Sequence, residues 1–276
     1  MRSIKTIVII LFVIIALAFS VMYCYDRLMV DHIPPKIICD GAKLEVGVRA
    51  SDLDLCKGLL ATDDVDGDIT DRIIVRRVSR LVGSNSAVVY YAVFDSASNF
   101  CTFTRNVYYT DYCQAKYSLS QPMIFNVGSR VTLVDRLTAY DVIDGDISSR
   151  IRLSAANIST TVEGDYPLTL QVTNSTGDTS VLALTVQIRN YTSRHPVIHL
   201  KEYLTYIEQG SVVSPEDFRE WILSARESAD GTPVDPEEIT ITGVVDTSRM
   251  GSYDVKFSYI NKENLSYSVI LTVVVQ

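Results

Sequence analysis

The sequence predicts an all-β protein: antiparallel β-sandwich modules of about 80 residues in series behind one N-terminal transmembrane helix. Three observations carry this expectation. An uncharged apolar run extends from Thr6 to Tyr25. A phrase at 61–73, Ala-Thr-Asp-Asp-Val-Asp-Gly-Asp-Ile-Thr-Asp-Arg-Ile, returns at 139–151 with its Asp-Gly-Asp-Ile core intact. Short β-branched runs bounded by turn residues fill most of the remaining chain.

The apolar run, at 1.5 Å per residue, spans about 30 Å, the thickness of a bilayer's hydrocarbon core. Arg2 and Lys5 precede it, which places the N-terminus inside and the C-terminus outside. Ala16-Leu17-Ala18 offers a signal-peptidase site, so secretion after cleavage is the alternative. The run continues to Tyr25 without a helix breaker, which favours a retained signal-anchor through residues 6–25. Cys24 does not make a lipoprotein site, because Tyr23 precedes it where a small residue is needed. Residues 1–32 are thus read as a cytoplasmic stub, the anchor and a polar neck, Asp26 to His32.

The first module, 33–112, opens at Ile33-Pro34-Pro35. Alternation predicts its strands at Lys36–Cys39, Leu44–Val48, Ile73–Val78, Ala87–Phe94 and Phe100–Tyr109. The second, 113–192, ends in strands Tyr166–Thr173 and Val181–Ile188, flanking a turn at 174–178 that answers the turn at 95–99. The third, 193–276, restarts at Pro196-Val197-Ile198 and closes with Gly251–Phe257 and Ser268–Val275, but lacks the Asp-Gly-Asp phrase. There Ser214-Pro215-Glu216-Asp217 reads as a helix start, with Phe218, Ile222 and Ala225 as a buried stripe and Trp221 beside it.

A formal charge of −8 excludes the basic stripe that nucleic acid requires. Apart from Cys24, the cysteines are Cys39, Cys56, Cys101 and Cys113. An even number around one exported module reads as two disulfides, Cys56–Cys101 and Cys39–Cys113 being the favoured pairing, with free thiols as the alternative. The three histidines, His32, His195 and His199, lie near no nucleophile signature, so no catalytic residues are assigned and an enzyme is not expected.

The order Pro35-x-Ile37, then Ala61-x-Asp63-x-x-Asp66-Gly67-Asp68-Ile69-Thr70, a tyrosine-rich strand, and Asp95-x-x-x-Asn99 before a closing strand resembles bacterial Ig-like domains of exported surface proteins. It is most similar to the subgroup described from a pesticidal crystal protein. The likeness covers Pro35 to Asp111 and Met123 to Asn190; over Pro196 to Gln276 it rests on Gly251-x-Tyr253 and the last strands. It implies tandem Ig-like sandwiches serving as stalks, adhesion modules or accessory domains, and no catalytic residues. The cysteine-rich first module departs from the pattern.

The repeated carboxylates admit two readings. Asp63, Asp66 and Asp68, with Asp141, Asp144 and Asp146, can supply oxygens to calcium, the one cofactor considered. Alternatively Asp-Gly makes a tight turn and the flanking carboxylates cap nearby amides. An EF-hand is excluded, because Ile69 and Val75 stand where its glycine and glutamate belong. Tyr90, Tyr91, Tyr108, Tyr109 and Tyr112 are candidates for a glycan platform, with strand packing as the competing role. The expected function is a non-enzymatic adhesion or spacer protein with an extracellular protein or cell-wall partner. The alternatives are a glycan-binding accessory protein and, further off, a hydrolase.

Overall fold

The computed structural model describes residues 2–29, 31–41, 43–82, 85–133 and 135–276, with the side chains of 2, 3 and 26–29 outside that description. Helix α1 spans Arg2–Met29. Within it Ile4–Tyr25, with mean hydropathy 3.0, is long and apolar enough to cross a membrane, and none of it is buried inside the fold. The helix therefore runs on through most of the expected neck, because Asp26 to Met29 contains no glycine or proline to stop it.

The first β unit contains β1 (Lys36–Cys39), β2 (Leu44–Val46), the one-turn helix α2 (Asp52–Leu55), β3 (Leu59–Asp63), β4 (Gly67–Asp68), β5 (Ile74–Val78), β6 (Ser86–Phe94) and β7 (Phe100–Tyr109). They form two sheets, ordered β1-β3-β4 and β2-β7-β6-β5. The same plan follows with β8 (Lys116–Leu119), β9 (Ile124–Asn126), β10 (Leu137–Asp141), β11 (Gly145–Asp146), β12 (Arg152–Ala156), β13 (Gly164–Thr173) and β14 (Thr179–Arg189). These pair as β11-β10-β8 and β12-β13-β14-β9. A third set comprises β15 (Val197–Leu200), β16 (Leu204–Ile207), β17 (Ile222–Arg226), β18 (Thr240–Thr242), β19 (Gly251–Ile260) and β20 (Ser266–Val275). Its sheets are β15-β17 and β16-β20-β19-β18.

All three are Ig-like β-sandwiches with one feature beyond the antiparallel expectation. In each larger sheet a short early strand lies parallel to the last one: β2 on β7, β9 on β14 and β16 on β20. The chain enters in one sheet and crosses to the other, so the closing strand gains a partner on its outer side instead of an open edge. Alternation decides which side chains go inward. In β3, Leu59 and Ala61 are buried while Leu60 and Thr62 face out. The Asp-Gly-Asp phrase thus begins on a strand rather than in a loop.

The chain divides into two compact units, 1–112 and 113–276. The expected boundary at 192/193 falls inside the second unit, whose apolar residues form one continuous core from Ala115 to Val273. Polar contacts cross the same joint. The Tyr206 hydroxyl accepts the Tyr117 amide at 2.6 Å, and the Tyr191 hydroxyl accepts that of Ser268 at 3.0 Å. Buried Gln187 reaches the Ser268 hydroxyl, and the Thr185 hydroxyl donates to Asp254. Burial pushes the Asp254 carboxyl above the usual range and the Tyr206 hydroxyl up to about 12.

Two expectations are corrected. The segment after Ser214 is a 3₁₀-helix, Pro215–Trp221, that ends where β17 begins, so Ile222 and Ala225 lie on a strand. Asp217 accepts the Ser214 amide as a helix start requires, but β-pairing of Val197 to Leu200 with this segment wins over helical propagation. Phe218, Ile222 and Ala225 are buried nonetheless, and Trp221 packs on the core.

The second correction concerns the cysteines, which are all free thiols. Cys56 precedes β3, whereas the Asp-rich turn follows it, so a strand length separates the two ends that the pairing had placed together. Cys56 caps the end of α2, and the neighbouring Lys57 carbonyl accepts from Arg105 Nη1 at 2.6 Å. Cys101 lies on β7 opposite Val93 of β6. Cys39 is half-buried, and Cys113 is exposed.

Two outcomes are expected. Tyr206→Phe leaves the Tyr117 amide without its acceptor and lowers the stability of the 113–276 unit by about 1–3 kcal/mol. Scanning calorimetry of the full chain in detergent should show that unit losing its structure in one transition in both proteins. Burial, with Asp52 nearby, pushes the Cys56 thiol above its ordinary range. Iodoacetamide at neutral pH should therefore modify exposed Cys113 at least about tenfold faster than Cys56, read by peptide mass mapping.

Candidate functional site

The repeated phrase builds the same hairpin twice. At the end of β3, Asp63 Oδ1 accepts the amides of Val65 and Asp66 at 3.0 and 2.9 Å. Asp141 Oδ1, at the end of β10, accepts those of Ile143 and Asp144, both at 2.9 Å. Gly67 and Gly145 follow at φ +75° and +73°, the left-handed conformation that glycine adopts without strain. Asp68 then caps the Thr70 amide and Asp146 that of Ser148, each opening a 3₁₀ turn. The hydroxyls of Thr70 and Ser148 accept the Ala61 and Ala139 amides, closing the hairpin on its own strand.

The middle carboxylate ties this hairpin to the turn that joins the last two strands. Asp66 Oδ2 accepts the Ser96 amide and hydroxyl and Arg72 Nη1, all at 2.7 Å. Asp144 makes the same bonds to the Ser175 amide, the Ser175 hydroxyl and Arg150. The identical arginines of the phrase are thereby explained. Ser96 and then Arg72 hold the Asp66 carboxyl below the usual range. Asp144 is also lowered: burial opposes this, but Ser175 and Arg150 prevail. The carboxylates of Asp66, Asp68, Asp144 and Asp146, four of the six expected calcium ligands, accept bonds within the fold.

One member of that set lies elsewhere. Asp63 shares a carboxylate cluster with Asp31 and Asp95, which the sequence did not single out: one oxygen from each lies within 4.8 Å of the others. Asp95 begins the β6–β7 turn and is 7% exposed. Its counterparts in the later sandwiches are Asn174 and Asn261, and each of the three uses Oδ1 to accept the amide four residues on. The amide group of Asn174 donates to Asp141 Oδ2 at 3.1 Å. In the first sandwich no such donor exists, and Asp63 Oδ2 is buried with no hydrogen-bond partner. Aligning the three turns against each other is the sequence signal that would have found Asp95.

The candidate tyrosines of the first sandwich serve packing. Tyr91 is fully buried and donates to the Leu55 carbonyl at 2.7 Å, and burial pushes its hydroxyl up to about 12. Arg77 stacks on Tyr90 and Lys43 covers Tyr108, while Tyr109 packs on the core and Tyr112 is half-buried. A better ligand surface occurs in the second unit. An open cleft of about 850 Å³ is lined by Tyr191, His195, Lys256, Tyr259 and Tyr267 among other polar residues. There the Tyr191 and Tyr267 rings meet at a tilt of 36° with centroids 4.7 Å apart, and Tyr259 donates to Glu227 at 3.1 Å. His195 Nδ1 already accepts the Thr192 amide at 3.0 Å.

No protein-family model matches the chain. Pesticidal crystal protein Cry22Aa of Bacillus thuringiensis is 25% identical over 203 residues, 72% of this chain and 27% of that protein. The chain thus spans about a quarter of the length of this curated relative. Among solved structures, Drosophila N-cadherin EC1-3 is 12% identical with a TM-score of 0.33, covering 90% of this chain and 91% of that one. The CBM51-2 and INT domains of Clostridium perfringens ZmpB, solved with GlcNAc, are 16% identical with a TM-score of 0.22, covering 88% and 42%.

The lowered carboxyls set a pH dependence. A group whose folded pKa is depressed stabilises above its unfolded value, near 3.9 for aspartate, and that stabilisation is lost as pH falls through the folded value. Both hairpin clasps should therefore weaken below about pH 4. Thermal melts between pH 6 and 2.5 should show less acid destabilisation for Asp66→Asn and for Asp144→Asn than for the parent chain.

Proposed function

We propose that this chain is a non-enzymatic binding or spacer protein held at the outer face of a cell membrane. In this reading α1 is a retained anchor with its N-terminus inside, and the sandwiches face outward to meet a protein or cell-wall partner. The carrying observation is the union of one apolar, unburied helix with sandwiches whose recurring polar residues close hairpins rather than converge on a reaction centre. The 25% identity to the pesticidal crystal protein over 72% of this chain accords with a display role. The acidic balance of the chain, −8 overall, supports a partner other than nucleic acid.

A second reading, glycan binding, is favoured by one observation: the polar cleft bearing Tyr191, Tyr259 and Tyr267. Tyrosine rings beside hydroxyl, amide and charged groups suit the mixed apolar and polar faces of a sugar. Two measurements test these proposals. A membrane-impermeant maleimide added to intact expressing cells should modify Cys113, and protection of Cys113 until the cells are lysed would reject the outward orientation. The full chain in nanodiscs should show no saturable retention on a glycan array or on peptidoglycan if its partner is a protein. Retention that Tyr259→Ala abolishes would establish the glycan reading instead.

A further inference from the structure

We propose that Asp31, Asp63 and Asp95 form a divalent-cation site, of calcium type by its ligand chemistry, that clamps the neck to the first sandwich. Two oxygens bound to one ion stand at most two bond lengths apart. At calcium–oxygen distances of about 2.3–2.6 Å, the 4.8 Å limit met by these three carboxylates is what a single ion permits. All three donors are carboxylate oxygens with no sulfur or imidazole among them, which suits a hard cation. Ligands from the neck, the end of β3 and the β6–β7 turn suit the loose geometry of calcium better than the strict octahedron of magnesium.

An independent observation points to the missing ligand. Asp63 Oδ1 is engaged by two backbone amides, but Oδ2 is shut away from solvent and accepts nothing. A buried carboxylate oxygen without a donor is destabilising, the more so beside other carboxylates. The second sandwich shows how the fold otherwise satisfies it. There the equivalent Asp141 is wholly buried, and its Oδ2 receives the Asn174 amide. In the first sandwich Asp95 replaces that asparagine, exchanging a donor for a third acceptor. Among the described residues none of the three carboxylates takes part in an ion pair. A cation supplies the positive partner that Asn174 replaces with a neutral amide.

The site also has a mechanical consequence. Asp31 lies two positions beyond the end of α1, its side chain accepts the Ile33 amide, and its carbonyl accepts from Asn99 Nδ2 at 3.1 Å. An ion shared by Asp31, Asp63 and Asp95 adds a metal bridge to that single bond and fixes the neck against the sandwich.

The test is calcium chloride titrated into the full chain, freed of metal with a chelator and held in detergent micelles, with calorimetry for binding and thermal melting for stability. One saturable calcium per chain is expected, with a melting temperature that rises with calcium concentration. Asp95→Asn should weaken binding at least about tenfold yet melt in chelator no lower than the parent, because it restores the donor that Asn174 provides in the second sandwich. Asp31→Asn, in the neck, should also weaken binding at least about tenfold, and it decides the matter should Asp95→Asn not fold. Asp144→Asn, the matching clasp in the second unit, should bind as the parent does. The proposal is overturned if the parent binds no calcium at millimolar concentration, as when a proton shared between carboxyls satisfies Asp63 instead. It is also overturned if binding survives Asp31→Asn, or if Asp144→Asn abolishes it.

Discussion

The first two sandwiches depend on one carboxylate in each, Asp66 and Asp144, that reaches from a hairpin on one sheet to a turn on the other. An Ig-like sandwich holds its sheets together through side chains, since no backbone bonds cross the core. At the ends, where the apolar core gives out, that cohesion needs a polar link. Asp66 provides it with three bonds to Ser96 and Arg72, and Asp144 repeats the bonds with Ser175 and Arg150. The hairpin must turn tightly for the carboxylate to arrive there, which is why Asp63, Gly67 and Thr70 recur in form around it.

The third sandwich lacks this clasp and finds cohesion elsewhere. Its core is continuous with that of the second, and Tyr191, Tyr206 and Gln187 bind across the joint. Its own turn residue, Asn261, binds the carbonyls of Arg194 and Glu227, the first of these in the segment that enters the sandwich. Asn99 makes a comparable bond to the Asp31 carbonyl ahead of the first sandwich. In both places a side chain of the last turn fastens the incoming chain.

The position shared by Asp95, Asn174 and Asn261 shows how one conserved geometry supports different chemistry. Each uses one side-chain oxygen to close its own turn, which leaves the second group free to differ. In asparagine that group is a donor, and it satisfies a buried acceptor. In aspartate it is another acceptor, and the local charge balance changes sign without any change of fold.

Much of this was legible from the residues alone. Period-two alternation located the long strands, since burial of one face of a sheet is written directly into sequence order, and the run from Thr6 to Tyr25 marked the apolar helix. The repeated phrase revealed the modular plan and the tight turn, because turn conformation is set by glycine and by carboxylates two or three residues away. Local signals failed where distant partners decide. Ser214 to Ala225 carries helical signals, yet pairing with β15 turned its second half into a strand. Cys56 and Cys101 read as a pair in the sequence, yet both are free thiols. Asp31 and Asp95 stand 64 positions apart, 95 minus 31, in segments with no common pattern. Only the packing of the neck and the last turn against the end of β3 brings their charges together with Asp63, because Coulomb interaction depends on distance in space and not along the chain.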